Sequence, residues 1–247
     1  MRRLQDFSAL TFDCYGTLID WESGIWNALQ PLLTSSTKLI DRQDVLEEFA
    51  REEGRLQQTN PTLAYPRILE LVHERLASTF DVPATSAMHE GFGRSVRLWP
   101  AFPDSASALK RLQQSFRLVI LSNVDRKSFS ASNDKLDIEF DAVYTAEDIG
   151  SYKPSPANFE YLLDHVKSDL SMERNDLLHT AQSMFHDHVP AMNFGLATAW
   201  IDRQNLAGGG RWGATAVVPD RPQPDFRFTS LEEMADAVET GLPPNMA

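Results

Sequence analysis

Leu10-Thr11-Phe12-Asp13-Cys14-Tyr15-Gly16-Thr17-Leu18 is the stretch from which the fold can be read. A short apolar run ends in a carboxylate, and the chain then turns at Gly16. Such a run suits a buried strand. A carboxylate at the tip of a buried strand lies at the C-terminal edge of a sheet, where open α/β sheets place their ligands. The same residues also suit an Asp that merely caps a turn or the next helix. Three later signals favour the first reading. Leu118-Val119-Ile120-Leu121-Ser122-Asn123 is a second apolar run ending in polar residues. Lys153 stands before Pro154 in Ser151-Tyr152-Lys153-Pro154. Asp187 follows the run Leu177-Leu178-His179-Thr180-Ala181.

Working outward, strand-like runs recur at Ala9–Asp13, Leu118–Leu121, Ala142–Thr145, Leu177–Ala181 and Ala197–Ile201. Helical patterns lie between most of them: Ser105–Gln114 with Ala106, Leu109 and Leu112, and Pro156–Val166 with Phe159, Leu162, Leu163 and Val166. Alternation of this kind predicts βαβ crossovers and a parallel sheet. The segment from about Ile19 to Arg97 breaks the rhythm with helices alone. Asp44-x-x-Glu47 has the form of a capping box opening a helix through Val45, Leu46, Phe49 and Leu56. Pro66 suits the first turn of a second helix bearing Ile68, Leu69, Val72 and Leu76. Ser230-x-x-Glu233 opens a last helix, Leu231–Val238.

The chain has 247 residues, 42% hydrophobic and 23% charged, with a net charge of −12. That charge argues against nucleic acid or an anionic membrane as partner. The single cysteine, Cys14, permits no internal disulfide, which suits a reducing, cytoplasmic location. Arg2 and Arg3 are followed by no apolar segment of signal-peptide or membrane-spanning length. Gly208-Gly209-Gly210 reads as a surface loop.

Asp13, Ser122 with Asn123, Lys153 and Asp187, in that order, resemble the four motifs of the haloacid dehalogenase (HAD) superfamily, over a span from Leu10 to about Arg203. The Asp-x-Tyr-Gly-Thr form resembles type II L-2-haloacid dehalogenases. The resemblance implies an α/β fold: a Rossmann-like core with a central parallel sheet, residues 1–18 and 98–247, and a helical cap, residues 19–97, inserted after the first strand. The hinges would lie at Ile19–Glu22 and Arg97–Pro103.

It also implies roles. Asp13 is the expected nucleophile, since a carboxylate can displace a leaving group from carbon or phosphorus. Phosphatases of the superfamily carry a second Asp two residues on, to protonate an alkoxide. Here that position is Tyr15, which points to a halide, a leaving group that needs no proton. Phosphatases also place a Mg²⁺-binding acid four residues before the late Asp, where this chain has Ser183. No metal or other cofactor is therefore expected, Mg²⁺ being required only if the alternative, a phosphatase acting on a small phosphate ester, holds. A third possibility is a catalytically weak relative that serves as a binding protein. Lys153 would keep Asp13 ionised, Thr17 would hold its rotamer, and Asp187 would orient Lys153 or help activate water. Substrate-binding candidates are Tyr15, Cys14, Ser122, Asn123 and Arg51, the last for the cap arginine that receives the halide, with Arg55 beside it. His186 and His188 flank Asp187 and are read as hydrogen-bonded around the loop. Tyr65, Phe49 and Trp26 are candidates for an apolar lining. The pattern departs from the dehalogenases at Phe159, where a Tyr is expected, at Gln182, where a Ser is, and at Met184, where an Asn is. The implied partner is a small-molecule substrate, with no nucleic acid and no membrane; a homodimer is left open.

Overall fold

In the computed structural model, which describes residues 2–210, 218 and 222–241, the short β-branched and aromatic runs become strands. These are β1 (Ala9–Phe12), β2 (Arg117–Ser122), β3 (Ala142–Thr145), β4 (Leu177–Ala181), β5 (Ala197–Ile201) and β6 (Phe226–Phe228). They form one parallel sheet in the order β3-β2-β1-β4-β5-β6. β1 and β4 are buried along their whole length, as strands covered on both faces must be. β6 is an addition to the five runs read from the sequence; at three residues it is too short to leave a periodic signal.

The order reverses between β1 and β4, so a crevice opens beyond their carboxyl ends. Asp13 directly follows β1, and its backbone N–H bonds Thr180 O of β4 at 3.1 Å.

Eleven α-helices accompany the sheet among the described residues. Five follow β1 with no strand between them: α1 (Trp21–Ala28), α2 (Gln30–Leu33), α3 (Arg42–Thr59), α4 (Tyr65–Thr79) and α5 (Ser86–Gly93). The others are α6 (Ser105–Leu112), α7 (Arg126–Leu136), α8 (Ala146–Ile149), α9 (Pro156–Leu170), α10 (Val189–Asn193) and α11 (Leu231–Thr240). The two connections to the strand-free segment run side by side: Ile19 bridges Ala101, Asp20 N bonds Pro100 O at 2.8 Å, and Phe102 N bonds Leu18 O at 3.0 Å.

Two helix starts show what caps do. Ser230 caps α11 as its sequence suggests, accepting from Glu233 N at 3.0 Å, while Glu233 reaches back to Thr229. For α3 the expected box at Asp44 and Glu47 is replaced. Asp41 is the cap, accepting from Gln43 N at 2.8 Å, and Glu47 accepts from the Gln43 amide. The helix begins a turn before its apolar stripe because Arg42 and Gln43 are polar and leave no hydrophobic trace. Asp44 falls in the first turn, where a negative charge favours the helix dipole. Gly208–Gly210 lies in a surface turn.

Candidate active site

The turn after β1 builds the site locally. Gly16 takes φ +96°, a conformation that glycine adopts freely. Leu18 N and Ile19 N both bond Cys14 O, at 2.7 and 2.9 Å, which folds Thr17 back over the strand end. Its hydroxyl donates to Asp13 Oδ2 at 2.8 Å and accepts from Gln182 N at 3.0 Å. One side chain thereby ties the nucleophile candidate to the loop after β4.

Lys153 reaches the same point from the loop before α9. Its Nζ donates to Asp13 Oδ1 at 2.9 Å, to Asp187 Oδ1 at 2.6 Å and to Leu121 O at 2.9 Å, which uses all three ammonium protons. The backbone of Lys153 is clamped by the Asn123 side chain, with Lys153 N donating to Oδ1 at 2.7 Å and Nδ2 donating to Lys153 O at 3.0 Å. Asn123 thus serves the lysine with its Oδ1 and one of its two Nδ2 protons.

Asp187 belongs to a π-helical turn, Met184–His188, capped by Ser183. A fourth group, which the sequence reading passed over as part of a strand, completes the cluster. His179 on β4 is fully buried; its Nε2 lies 3.1 Å from Asp187 Oδ1 and its Nδ1 2.8 Å from Thr11 Oγ1. With Asp187 ionised, Nε2–H is the donor and Nδ1 accepts from Thr11. The signal was present: a buried polar residue on a central strand needs a partner. Phe159, standing where a Tyr was expected, packs edge-on against the His179 ring at 5.3 Å.

Electrostatics follow from this arrangement. Burial pushes Asp13 up, with the Asp187 charge adding to it, while the Lys153 ammonium and the Thr17 hydroxyl pull the other way. For Asp187, burial also acts upward, but Lys153 and His179 outweigh it and hold the carboxyl well below the usual carboxylate range. Burial opposes the charge on Lys153; the two carboxylates overcome this and raise it. The cluster is an ammonium between two carboxylates, an arrangement worth keeping in a low-dielectric site only when every partner is in place.

A cavity of about 130 Å³ lies over these groups. Asp13, Lys153 and Asp187 line it, with Tyr15, Trp21 and Trp99 among the aromatic walls. The Tyr15 hydroxyl bonds Ser132 Oγ at 2.9 Å, so this residue offers the cavity its ring. Of the three residues expected to line it from the helical segment, only Tyr65 does; Phe49 is buried against Trp21 and Phe92, and Trp26 lies elsewhere. Arg51 is 66% exposed, pairs with Glu48 and lines an adjoining pocket rather than this cavity. Arg55 likewise pairs with Glu52. Cys14 and Ser122 are buried beside the site but do not line the cavity; burial pushes the Cys14 thiol up, and Ser122 Oγ has no hydrogen-bond partner. His186 lines the cavity and His188 donates to or accepts from no side chain, its Nε2 lying 2.9 Å from Ala181 O. Met184 is packed with Trp200 and Leu206.

The residues do not fit a hard cation. Mg²⁺ favours carboxylate oxygens and water, and the two carboxylates here already share the Lys153 ammonium while Ser183 stands in the place of a third. Among the described residues no group of three or more His, Cys, Asp or Glu is arranged to hold a metal. Nor is any described helix long and apolar enough to cross a membrane.

A family model of haloacid dehalogenase-like hydrolases matches residues 7–174. The chain belongs to that family. Among its relatives within the haloacid dehalogenase-like hydrolases, (S)-2-haloacid dehalogenase 4A of Burkholderia cepacia is 26% identical over 240 residues, covering 93% of this chain and 91% of the relative. An (S)-2-haloacid dehalogenase of Pseudomonas putida is 23% identical over 209 residues, 83% of this chain and 88% of the relative. The solved L-2-haloacid dehalogenase of Xanthobacter autotrophicus with chloropropionic acid covalently bound superposes with a TM-score of 0.76 at 17% identity, covering 98% of this chain and 100% of that one. At that identity the likeness is one of fold.

Proposed function

We propose that this hydrolase cleaves the carbon–halogen bond of a small 2-haloacid without a metal, using Asp13 as nucleophile. The observation that carries the reading is the Asp13–Lys153–Asp187 cluster at the sheet edge, inside a small cavity with Tyr15 where a phosphatase needs an acid. The haloacid dehalogenases among its relatives, one of them solved with chloropropionic acid covalently bound, support the same chemistry.

Asp13 Oδ attacks the halogen-bearing carbon in line, the carbon is inverted, and the halide leaves with the bonding pair. Lys153 keeps the carboxylate ionised before attack. Thr17 fixes its rotamer. Water then attacks the Asp13 carbonyl of the ester, releasing the 2-hydroxyacid and regenerating Asp13. Asp187 holds Lys153 through both steps, and its second oxygen, Oδ2, is buried without a hydrogen-bond partner, which leaves an acceptor for a water admitted to the site. Residues 19–97 act as a cap on the core formed by 1–18 and 98–247, and its closure keeps bulk water from the first step.

The deciding test is halide release from a panel of 2-haloacids with EDTA or Mg²⁺, run beside a generic phosphatase substrate. Release that survives EDTA is expected. Phosphatase turnover lost on chelation and restored by Mg²⁺ would overturn the proposal.

A further inference from the structure

The helical segment turns an acid, not a base, toward the nucleophile. On α3 Arg51 and Arg55 pair with Glu48 and Glu52 and line an adjoining pocket, while Glu53 and Gly54 line the cavity with Asp13. Among the described residues Lys153 is the one lysine or arginine in that lining, and its ammonium protons are all engaged. Tyr65 of α4 donates to Glu53 Oε1 at 2.6 Å, which sets the plane of the carboxyl. Oε2 makes no hydrogen bond among the described residues.

In-line attack by Asp13 sends the leaving group away from the sheet edge, toward the wall that the helices supply. We infer that Glu53, oriented by Tyr65, is the hydrogen-bond donor that receives the departing halide, in the place where a cation would otherwise stand. The inference rests on the dehalogenase reading and deepens it.

The step balances without a net proton transfer. A bond forms from Asp13 Oδ to carbon, the carbon–halogen bond breaks with its electron pair going to the halide, and the halide accepts from Glu53 Oε2–H. The proton remains on Glu53, because a hydrogen halide is a stronger acid than a carboxylic acid. A donor of this kind assists the most basic halide most, so it narrows the gap by which fluoride and chloride lag behind bromide as leaving groups.

The surroundings keep the proton available. Burial pushes Glu53 up to about 7, against the downward pull of the Tyr65 bond. Tyr65, Tyr15 and Tyr152 lie around it as neutral phenols, all three held high by burial. Asp13, Asp187 and Lys153 face the same cavity, as does His186, which burial pushes down to about 4. A haloacid carboxylate entering this space adds negative charge and drives Glu53 further toward its protonated form.

The test is kcat/KM for 2-fluoro-, 2-chloro- and 2-bromopropionate between about pH 5.5 and 9. Wild type is expected to fall by about tenfold per unit above about pH 7, as the donor form is lost. Glu53→Gln, whose amide still donates, should lose about tenfold at low pH but lack the alkaline limb. Glu53→Ala should lose at least about tenfold more on the fluoro than on the bromo substrate. Tyr65→Phe removes a bond that favours the ionised form, so its limb should move to higher pH. An alkaline limb that persists in Glu53→Gln, or an equal loss on all three halides in Glu53→Ala, would overturn this inference while leaving the dehalogenase reading intact. A wild-type enzyme that releases no halide from any of the three would overturn both.

Discussion

The groups around Asp13 have separable roles, and substitutions should tell them apart. Asp13→Asn replaces the proposed nucleophile by a neutral amide and should cut turnover by about 10⁴-fold or more, measured as halide release. The fold should survive, since the side chain sits at a strand tip rather than in the packed core. Asp187→Asn should slow ester hydrolysis more than its formation, so that the substrate mass appears on Asp13; in the wild type, a single turnover in heavy-oxygen water with excess enzyme should label Asp13 and not the product. Label found only in the product would refute the covalent route. His179 acts through Asp187. His179→Phe keeps the contact with Phe159 but removes both hydrogen bonds, and the misplaced carboxylate should cost about 10- to 100-fold in kcat with little change in KM. His179→Gln, which keeps a donor, should recover part of that loss. Equal rates in the Phe variant would show that Lys153 alone holds Asp187. Position 179 itself shows only that an imidazole on a buried strand needs a partner, not which partner it finds. Asp13, Lys153 and Asp187 announce themselves by order and flanking pattern, whereas the partners of His179, Thr11 and Asp187, are non-local.

At the scale of elements, what could be read depended on how much of an element is apolar. β1 to β5 and the helices α6 and α9 were visible because buried faces impose a period. α3 was visible in outline only: it is largely polar, so its start, its paired arginines and the inward Glu53 carry no pattern. The seat of α1 depends on a residue with no side chain. A Cβ at Gly24 would lie 2.3 Å from Trp99 Cγ, and Trp99 is itself almost fully buried, with its indole N–H on Ser95 Oγ at 3.2 Å. Trp99 also meets the Tyr15 ring edge-on at 5.5 Å and lines the cavity. Helix propensity favours Ala over Gly by up to about 1 kcal/mol, but the clash is larger. Gly24→Ala should destabilise the protein by about 1–3 kcal/mol through overpacking, read in a denaturant melt. It should also impair turnover, because Trp99 must move and it forms part of the cavity wall. A variant as stable as wild type would show that the helix can shift away without cost.

Taken as a whole, the molecule buries neutral imidazoles, and this sets its response to acid. His188 is fully buried and burial pushes it down to about 4; its Nε2–H donates to Ala181 O and its Nδ1 has no partner to stabilise a second proton. His73, buried beside His89 with the two Nδ1 atoms 2.8 Å apart, is also pushed down to about 4, first by burial and then by its neighbour. His186 behaves alike. In the unfolded chain these imidazoles titrate near about 6.5. Between the two values the unfolded state binds protons that the folded state refuses, so stability rises with pH there and is lost as pH falls. The stabilisation is complete above about pH 6.5 and drains away toward about pH 4. Asp187, held low in the fold, adds its own loss only below the range where a free aspartate protonates, about pH 4. The expected result is a melting temperature nearly level from about pH 8 to 6.5 and falling steeply below, by several degrees for each buried imidazole. His188→Gln, which retains a donor toward Ala181 O but does not titrate, should flatten part of that fall while lowering the plateau. A profile level down to about pH 4.5, or one unchanged in the variant, would show that these histidines take up protons without unfolding the chain.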